Sequence, residues 1–170
     1  MLSILIPTHD YTCYPLVAAL HEQAEQLGVP YEIIVAEDGS RSQVDVIANH
    51  KMEELSHCRH LVRKENVGRA AIRNVLIDTS VGEWLLMMDA DGKVVREDFL
   101  TKYWTAKEGH DVVCGGIKTP HVCHDPERML RWKYEKAYEK KHGYISQQFR
   151  SFCFLMARRV ADKVRFDERY

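Results

Sequence analysis

The feature that most constrains the fold is a repeated alternation of short apolar segments with longer segments of helical spacing. This alternation predicts a doubly wound α/β sheet. Helices connect its strands by right-handed crossovers and cover both of its faces. Because the first strand is apolar at every position except Ser3, it is expected to be buried on both sides, as parallel strands are. The predicted strands are residues 2–6, 31–36, 60–62, 84–88 and 111–114, and the predicted helices are 14–27, one running through 52–55, 69–78 and 97–107.

Polar and acidic residues follow three of these strands. The first strand is expected to stop at Pro7, and the loops 7–10, 37–40 and 89–92 then all leave the carboxyl end of a strand. Ligands of open α/β sheets bind beyond the carboxyl ends of the strands. We therefore expect the three loops to converge on one polar site.

Two aspartates end the strand 84–88. Asp89 and Asp91 are one residue apart and precede Gly92, where the chain has to turn. Two neighbouring carboxylates repel each other, and a hard divalent cation such as Mg²⁺ or Mn²⁺ held between them and phosphate oxygens relieves that repulsion. The alternative is a loop of solvated acids, because an Asp-x-Asp sequence is common by chance.

Two arginines lie in the first turns of the helix 69–78. Arg69 and Arg73 are placed where a cation opposes the helix dipole slightly, which would be explained by a bound anion. A solvated arginine remains the default interpretation.

Composition limits the partners and the compartment. The net charge is −1, so no global basic field favours nucleic acid or an anionic membrane. The five cysteines are odd in number and lack Cys-x-x-Cys spacing, which indicates reduced thiols and a cytoplasmic setting. The amino terminus does not resemble a signal peptide, and no apolar run approaches the ~20 residues that span a bilayer.

The last third of the chain has a different character. His121, Cys123 and His124 offer at most three ligands at irregular spacing, so a zinc site is the less favoured interpretation there. The predicted helix 127–141 mixes basic and aromatic residues. A solvated helix face is the favoured interpretation, and contact with a phosphorylated or lipid-linked acceptor or with the inner face of a membrane is the alternative. A late strand, 152–157, and a short helix, 158–163, are predicted after it.

Five ordered segments resemble the family 2 glycosyltransferases. They are residues 3–10, 32–40, 66–74, 82–91 and 166–170. The resemblance implies a Rossmann-like α/β domain of the GT-A fold over residues 1–170, with a mostly parallel central sheet and helices on both faces. It also implies a nucleotide-sugar-binding half, 1–116, and an incomplete acceptor-side half, 117–170.

The activity that the resemblance implies is hexosyl transfer from a nucleotide diphosphate sugar, usually a UDP-sugar, to a hydroxyl group with inversion. The acceptor would be a carbohydrate or a lipid-linked molecule, as in polysaccharide biosynthesis, and the cofactor Mn²⁺ or Mg²⁺. In this chain Asp38 would accept from the base, Asp89 would contact the ribose or sugar, and Asp91 would bind the metal, with Asp89 as the second metal-site residue. The implied nucleotide-sugar-binding residues are Pro7, Thr8, His9, Asp10, Glu37, Asp38, Asn66, Gly68, Arg69, Arg73, Asp89 and Ala90.

Departures from the family pattern affect the donor and the catalytic base. His9-Asp10 stands where Tyr-Asn is common, and Glu37 where Asp is common. The family's general base follows the segment that ends at Tyr170, so we expect a truncated catalytic domain in which Asp167 and Glu168 are structural. A catalytically silent nucleotide-sugar-binding module is therefore an alternative. A nucleotidyltransferase is another, disfavoured because no Gly-rich basic loop follows the first strand.

Overall fold

The structure is a computed structural model that describes residues 1–116, 118–119, 121–142, 149 and 151–169. The chain divides into two compact units, one comprising Met1–Val113 with Ser151–Tyr170 and the other Cys114–Arg150. The elements in chain order are β1 Leu2–Thr8, α1 Tyr14–Leu27, β2 Tyr31–Glu37, α2 Gln43–His50, a 3₁₀ turn Lys51–Glu54, β3 Cys58–Val62, α3 Arg69–Thr79, β4 Trp84–Met88, α4 Phe99–Ala106, β5 Val112–Cys114, α5 Met129–His142, β6 Cys153–Ala157 and α6 Arg158–Ala161.

The strands form a six-stranded sheet in the order β3-β2-β1-β4-β6-β5. β1 pairs in parallel with β2 and with β4, and β2 pairs in parallel with β3. β6 pairs with β4 in the antiparallel direction, which makes the sheet mixed at that side. The predicted α/β architecture with a mostly parallel central sheet is confirmed.

Side chains that alternate along each strand build two cores, one on each face of the sheet. On β1, Ile4 and Ile6 pack in a cluster that includes apolar residues of α1 and α4. Leu5, between them in sequence, packs in a second cluster with Ile72 and Leu76 of α3. Successive residues of a strand point to opposite faces, so a strand with apolar residues on both faces requires helices on both sides.

Several element boundaries differ from the sequence-based prediction, and two of the differences have a clear physical cause. β1 continues through Pro7 to Thr8, and β4 pairs with β1 only as far as Leu5. Proline cannot donate to a ladder, and it is tolerated at Pro7 because β1 has β2 as its only ladder partner there. The helix expected to run through 52–55 ends at His50 and tightens into the 3₁₀ turn, which buries Met52 completely.

The second unit contains α5, whose exposed side chains include Leu130 and Tyr134. Within this unit Lys136 Nζ donates to the carbonyl of Thr119 at 2.9 Å. Among the described residues, no helix combines the length and apolar content that crossing a bilayer requires. Tyr170, after which the general base was expected, is outside the described residues.

Candidate functional site

The loops that follow β1, β2 and β3 are joined by hydrogen bonds at the carboxyl edge of the sheet. His9 Nδ1 lies 2.9 Å from the carbonyl oxygen of Asp38, and Asn66 Nδ2 donates to the same carbonyl at 2.9 Å. The backbone N–H of Asp38 donates to the carbonyl of Thr8 at 2.8 Å. Parallel strands end at the same edge, so three loops that are distant in sequence come together here.

Asp38 has its carboxylate turned into this junction. One oxygen accepts from the N–H of Val67 at 2.8 Å and the other from the N–H of Gly68 at 3.0 Å. The residue is only 5% exposed. Both oxygens therefore hold the loop that precedes α3.

A glycine is required at position 39 because the loop that follows β2 approaches the loop that precedes α3 closely there. Its φ is +65°, and a Cβ built on it would lie 2.3 Å from the backbone nitrogen of Asn66. A side chain there would collide with backbone atoms as well as strain the left-handed conformation.

Asp10 forms hydrogen bonds with the loop that follows β2. Its carboxylate accepts from the N–H groups of Arg41 and Ser42 at 2.5 and 2.8 Å, and its own N–H donates to the hydroxyl of Ser40 at 3.0 Å. The hydrogen bond from Ser42 is the main reason that the pKa of Asp10 is lowered. Asp10 is therefore ionised and connects the β1 loop to the start of α2.

Glu37 lies inside the protein. Its Oε1 accepts from Asn49 Nδ2 at 2.7 Å and lies 3.2 Å from His60 Nε2, while Oε2 accepts from the Ser40 hydroxyl. Burial opposes ionisation of Glu37, but the hydrogen bonds from His60, Ser40 and Asn49 outweigh it and lower the pKa of the carboxyl. Its contacts are therefore with buried protein groups.

The buried polar residues Asn49 and His60 were missed by the sequence analysis. Neither belongs to a recognisable motif, and α2 exposes its apolar residues Val44 and Ile47 while burying Asn49. The sequence carries no signal for either residue, because which face of α2 is buried is decided by how the helix packs.

Two further residues of the predicted site support the backbone. Thr8 is 4% exposed, and its hydroxyl donates to the carbonyl of Tyr11 at 3.1 Å. Pro7 lies within β1 and is half-buried. Both residues shape the start of the β1 loop.

The two arginines of α3 face Asp89 in different ways. Arg73 is buried, and its guanidinium donates to Asp89 Oδ1 at 2.5 Å and to the carbonyl of Arg69 at 2.9 Å. Arg69 has a side chain that is 82% exposed, and its guanidinium lies 4.0 Å from Asp89 Oδ2. Arg73 therefore holds Asp89 in place, whereas Arg69 remains open to solvent.

Asp91 is exposed at the end of the β4 loop. Within the described part of the chain its carboxylate has neither a hydrogen bond nor an ion pair. Ala90 is buried, and the N–H of Gly92 donates to the carbonyl of Asp89 at 3.1 Å, which closes the turn. The turn thus separates one anchored carboxylate from one free carboxylate.

Gly68 and Arg69 connect the two acidic regions. The N–H of Gly68 binds Asp38, and the side chain of the next residue approaches Asp89. Asp38 and the Asp89–Asp91 turn therefore lie on the same edge of the sheet, as the strand order predicts.

The ability of these residues to hold a divalent cation depends on Asp91. No group of three metal-ligating side chains occurs among the residues that the structure describes, including His121, Cys123 and His124. Mg²⁺ is usually bound by one or two carboxylates together with substrate phosphates. One free carboxylate, with a second one a residue away, fits that requirement.

The segment that follows α6 is fixed to α3. Asn74 Nδ2 donates to the carbonyl of Phe166 at 3.0 Å and to Glu168 at 2.7 Å, and the N–H of Phe166 donates back to Asn74 Oδ1 at 3.1 Å. Asp167 is paired with Arg169 at 2.6 Å. Both acids of this segment are engaged.

A cavity of about 360 Å³ lies elsewhere, at the amino ends of β1 and β2. Its lining includes Met1, Glu25, Pro30 and His57. Because the strands run in parallel, it is at the edge opposite to the acidic loops and is separate from the site described above.

Comparison with known proteins identifies the family. The family model "Glycosyl transferase family 2" matches residues 3–166. The curated relative glycosyltransferase GlyA of Streptococcus pneumoniae is 24% identical over 98% of this chain, which spans 26% of that protein.

Two solved structures show the same fold. The TarS 1–349 structure of S. aureus in complex with UDP has a TM-score of 0.66 and 18% identity, covering 99% of this chain and 50% of that one. The mannosyltransferase PcManGT of Pyrobaculum calidifontis, in complex with GDP-Man and Mn²⁺, has a TM-score of 0.62 and 17% identity, covering 95% of this chain and 46% of that one. This chain thus spans half or less of the length of these three proteins. From the match over residues 3–166, the chain belongs to glycosyl transferase family 2.

Proposed function

We propose that this chain is the donor-binding part of a glycosyltransferase that transfers a sugar from a nucleotide diphosphate sugar, of the UDP type, to a hydroxyl group with inversion. Membership of glycosyl transferase family 2 supports the transferase class. The solved relatives in complex with UDP and with GDP-Man support a nucleotide donor.

The observation that carries the proposal is the contrast between Asp89 and Asp91. The buried Arg73 pairs with the partly exposed Asp89, while Asp91 is exposed and free of partners among the described residues. A carboxylate without a protein partner at the carboxyl edge of a parallel sheet is suited to a ligand. Asp91 is accordingly the residue that we assign to a Mn²⁺ or Mg²⁺ ion bound with the diphosphate.

Arg69 is the residue that we assign to the diphosphate. Its side chain is 82% exposed beside Asp89, so it can reach a ligand without breaking a buried contact. Arg73 has both terminal nitrogens engaged and acts by orienting Asp89. A divalent cation, when bound, supplies positive charge as the diphosphate departs. Arg69 adds to that stabilisation of developing negative charge.

The nucleoside is assigned to the joined loops after β1, β2 and β3. His9 and Asn66 both lie next to the carbonyl of Asp38 and keep partly exposed polar groups at the surface of the junction. Asp38, Glu37 and Asp10 hold the loops that present those groups. We assign residues 1–116 to binding of the donor, and residues 117–170, which include α5, to binding of the acceptor.

Neither Asp167 nor Glu168 is assigned as the general base. A base must lie within hydrogen-bond reach of the acceptor hydroxyl, and these acids are occupied by Arg169 and by Asn74. This observation also favours the second candidate, a nucleotide-sugar-binding module that does not itself transfer sugar.

Calorimetric titration with UDP, with and without Mn²⁺, tests the proposal. Wild-type protein is expected to bind UDP more tightly with Mn²⁺, and Asp91→Asn is expected to lose that metal-dependent part. Glu22→Gln, which removes the same charge from an exposed position of α1, is the matched control and should bind as wild type does. Metal-independent UDP binding, or equal binding by Asp91→Asn, would contradict the assigned metal role.

Incubation of this chain with a UDP-sugar and Mn²⁺ separates the two candidates. Release of UDP indicates a transferase that can use water as the acceptor. Tight binding without release indicates the binding module.

A further inference from the structure

Asn49 is completely buried and uses all of its hydrogen-bonding capacity. Its Oδ1 accepts from the N–H groups of Cys13 and Tyr14 at 2.8 and 3.1 Å. Its Nδ2 donates to the carbonyl of Tyr11 at 2.9 Å and to Glu37 Oε1 at 2.7 Å. One side chain of α2 thus binds the β1 loop, the first residues of α1 and the end of β2.

Asn49 supplies the amino-terminal cap that α1 does not have from its own sequence. The residue before α1 is Cys13, which makes no side-chain capping hydrogen bond. The first N–H groups of a helix need acceptors from outside the helix. Oδ1 of Asn49 provides that acceptor from a different helix, so the direction in which the chain leaves the β1 loop depends on α2.

Glu37 connects the same residue to the loop after β2. Its second oxygen accepts from the hydroxyl of Ser40, whose Oγ also accepts from the N–H of Asp10 at 3.0 Å. His60 of β3 approaches the first oxygen at 3.2 Å, and both side chains are fully buried. The ends of β1, β2 and β3 are therefore joined through Glu37.

The exposure of the α2 side chains indicates that Asn49 is buried for its hydrogen bonds and not only for packing. Val44 and Ile47 are 78% and 66% exposed, whereas Asn49 is 0% exposed. A helix with apolar residues available nevertheless directs its amide inward. Because Val46 and Ala48 of the same helix are only half-buried, apolar burial alone does not account for the complete burial of Asn49.

We propose that Asn49, together with Glu37 and His60, is a positioning group that fixes the β1 and β2 loops in the geometry required to bind the nucleoside of the donor. The inference rests on the proposed function, because it concerns the nucleoside side of that site. None of the three residues needs to touch the ligand. Asn49 acts through the backbone of residues 11–14, Glu37 acts through the hydroxyl of Ser40, and His60 acts through Glu37.

The test compares Asn49→Ala and Asn49→Asp with Ser3→Ala. The alanine variant removes all four hydrogen bonds, and the aspartate variant keeps an acceptor for α1 but loses both donors and faces Glu37 with a like charge. Ser3 is a matched control at the other end of β1, because it is fully buried, donates to Glu32 at 2.6 Å and accepts from the N–H of Gly82 at 2.8 Å.

Calorimetry with UDP and Mn²⁺ and with Mn²⁺-pyrophosphate gives the readout. Both Asn49 variants are expected to bind UDP about tenfold more weakly, the scale of a lost buried hydrogen bond, and to bind Mn²⁺-pyrophosphate within about twofold of wild type. Ser3→Ala should bind both ligands as wild type does. A merely structural role would weaken both ligands together, or affect Ser3→Ala equally, and either result would overturn the proposal.

Hydrogen exchange provides a second measurement that does not depend on the ligand. The amides of Cys13 and Tyr14 should exchange faster in Asn49→Ala and not in Ser3→Ala, and unchanged exchange would overturn the proposal.

Should Asn49→Asp not fold, the binding measurements on Asn49→Ala alone decide the test. If wild-type protein binds no UDP, the proposed function fails and the inference fails with it. If wild type binds UDP and Asn49→Ala binds it equally, only the inference fails.

Discussion

Two loops at the same edge of the sheet carry acids with opposite surroundings. After β2, Asp38 is 5% exposed and both of its oxygens accept backbone hydrogen bonds. After β4, Asp91 is exposed, and the described residues provide it with no partner. Both acids follow an apolar strand, so their local sequences look alike. Their surroundings show that an acid in such a loop serves either the architecture or a ligand according to the donors around it.

The comparison predicts different costs for removing the two acids. Asp38→Ala leaves the N–H groups of Val67 and Gly68 without their acceptor and should lower the free energy of unfolding by about 3 kcal/mol. Asp91→Ala should change it by less than about 0.5 kcal/mol. Urea unfolding of both variants checks this, and similar values for the two would remove the distinction between the loops.

Gly39 sharpens the comparison through the backbone of the β2 loop. Gly39→Ala should cost about 2 kcal/mol, because its Cβ would lie 2.3 Å from the nitrogen of Asn66 and its φ is +65°. Gly28→Ala is the control, with φ +68° and no atom within 4 Å, and should cost about 1 kcal/mol. Thermal unfolding of the pair measures the difference. Equal costs would show that loop contact at Gly39 contributes nothing.

Arg73 tests the intermediate case, Asp89, which is anchored yet lies beside Asp91. Arg73→Met removes the 2.5 Å hydrogen bond to a carboxylate that is 22% exposed and should lower the unfolding free energy by about 1.5 kcal/mol. Arg69→Met should have almost no effect on stability, because that side chain is 82% exposed. Chemical denaturation distinguishes them. A larger effect of Arg69→Met would reverse the roles assigned to the two arginines.

Glu37 gives the smallest expected effect, seen in the pH dependence of stability. Its pKa is below the usual 4.5 in the folded protein because of hydrogen bonds from His60, Ser40 and Asn49 that outweigh burial. The stability it contributes is therefore complete above about pH 4.5 and is lost as pH falls through the lower folded value. Between pH 6 and pH 3, wild type should lose more stability than Glu37→Gln. Parallel pH profiles of the two proteins would show that this carboxyl does not titrate differently on folding.

All five cysteines are free, and Cys13, Cys58 and Cys153 are buried. Burial raises the pKa of Cys13 to about 12 and of Cys58 to about 11, so neither is an activated nucleophile.

The sequence by itself determined the fold, because burial of strands that are apolar on both faces leaves few arrangements. The boundaries of α1 and β4 were predicted at the residues where the structure has them, since Gly28 ends the helix in the left-handed conformation and the acids Glu83 and Asp89 flank the strand. The convergence of the acidic loops on one edge also followed from parallel strands. The length of β1 was wrong by two residues, because its tolerance of Pro7 depends on how far β4 extends beside it.

Only the tertiary structure decided which polar residues are buried and which remain free. The sequence shows Asp10, Glu37, Asp38, Asp89 and Asp91 as similar acids in similar loops. Their hydrogen-bond donors come from residues distant in the chain, such as Asn49 for Glu37 and Arg73 for Asp89. Local periodicity carries no information about such partners, because a buried hydrogen bond is defined by the packing of whole elements.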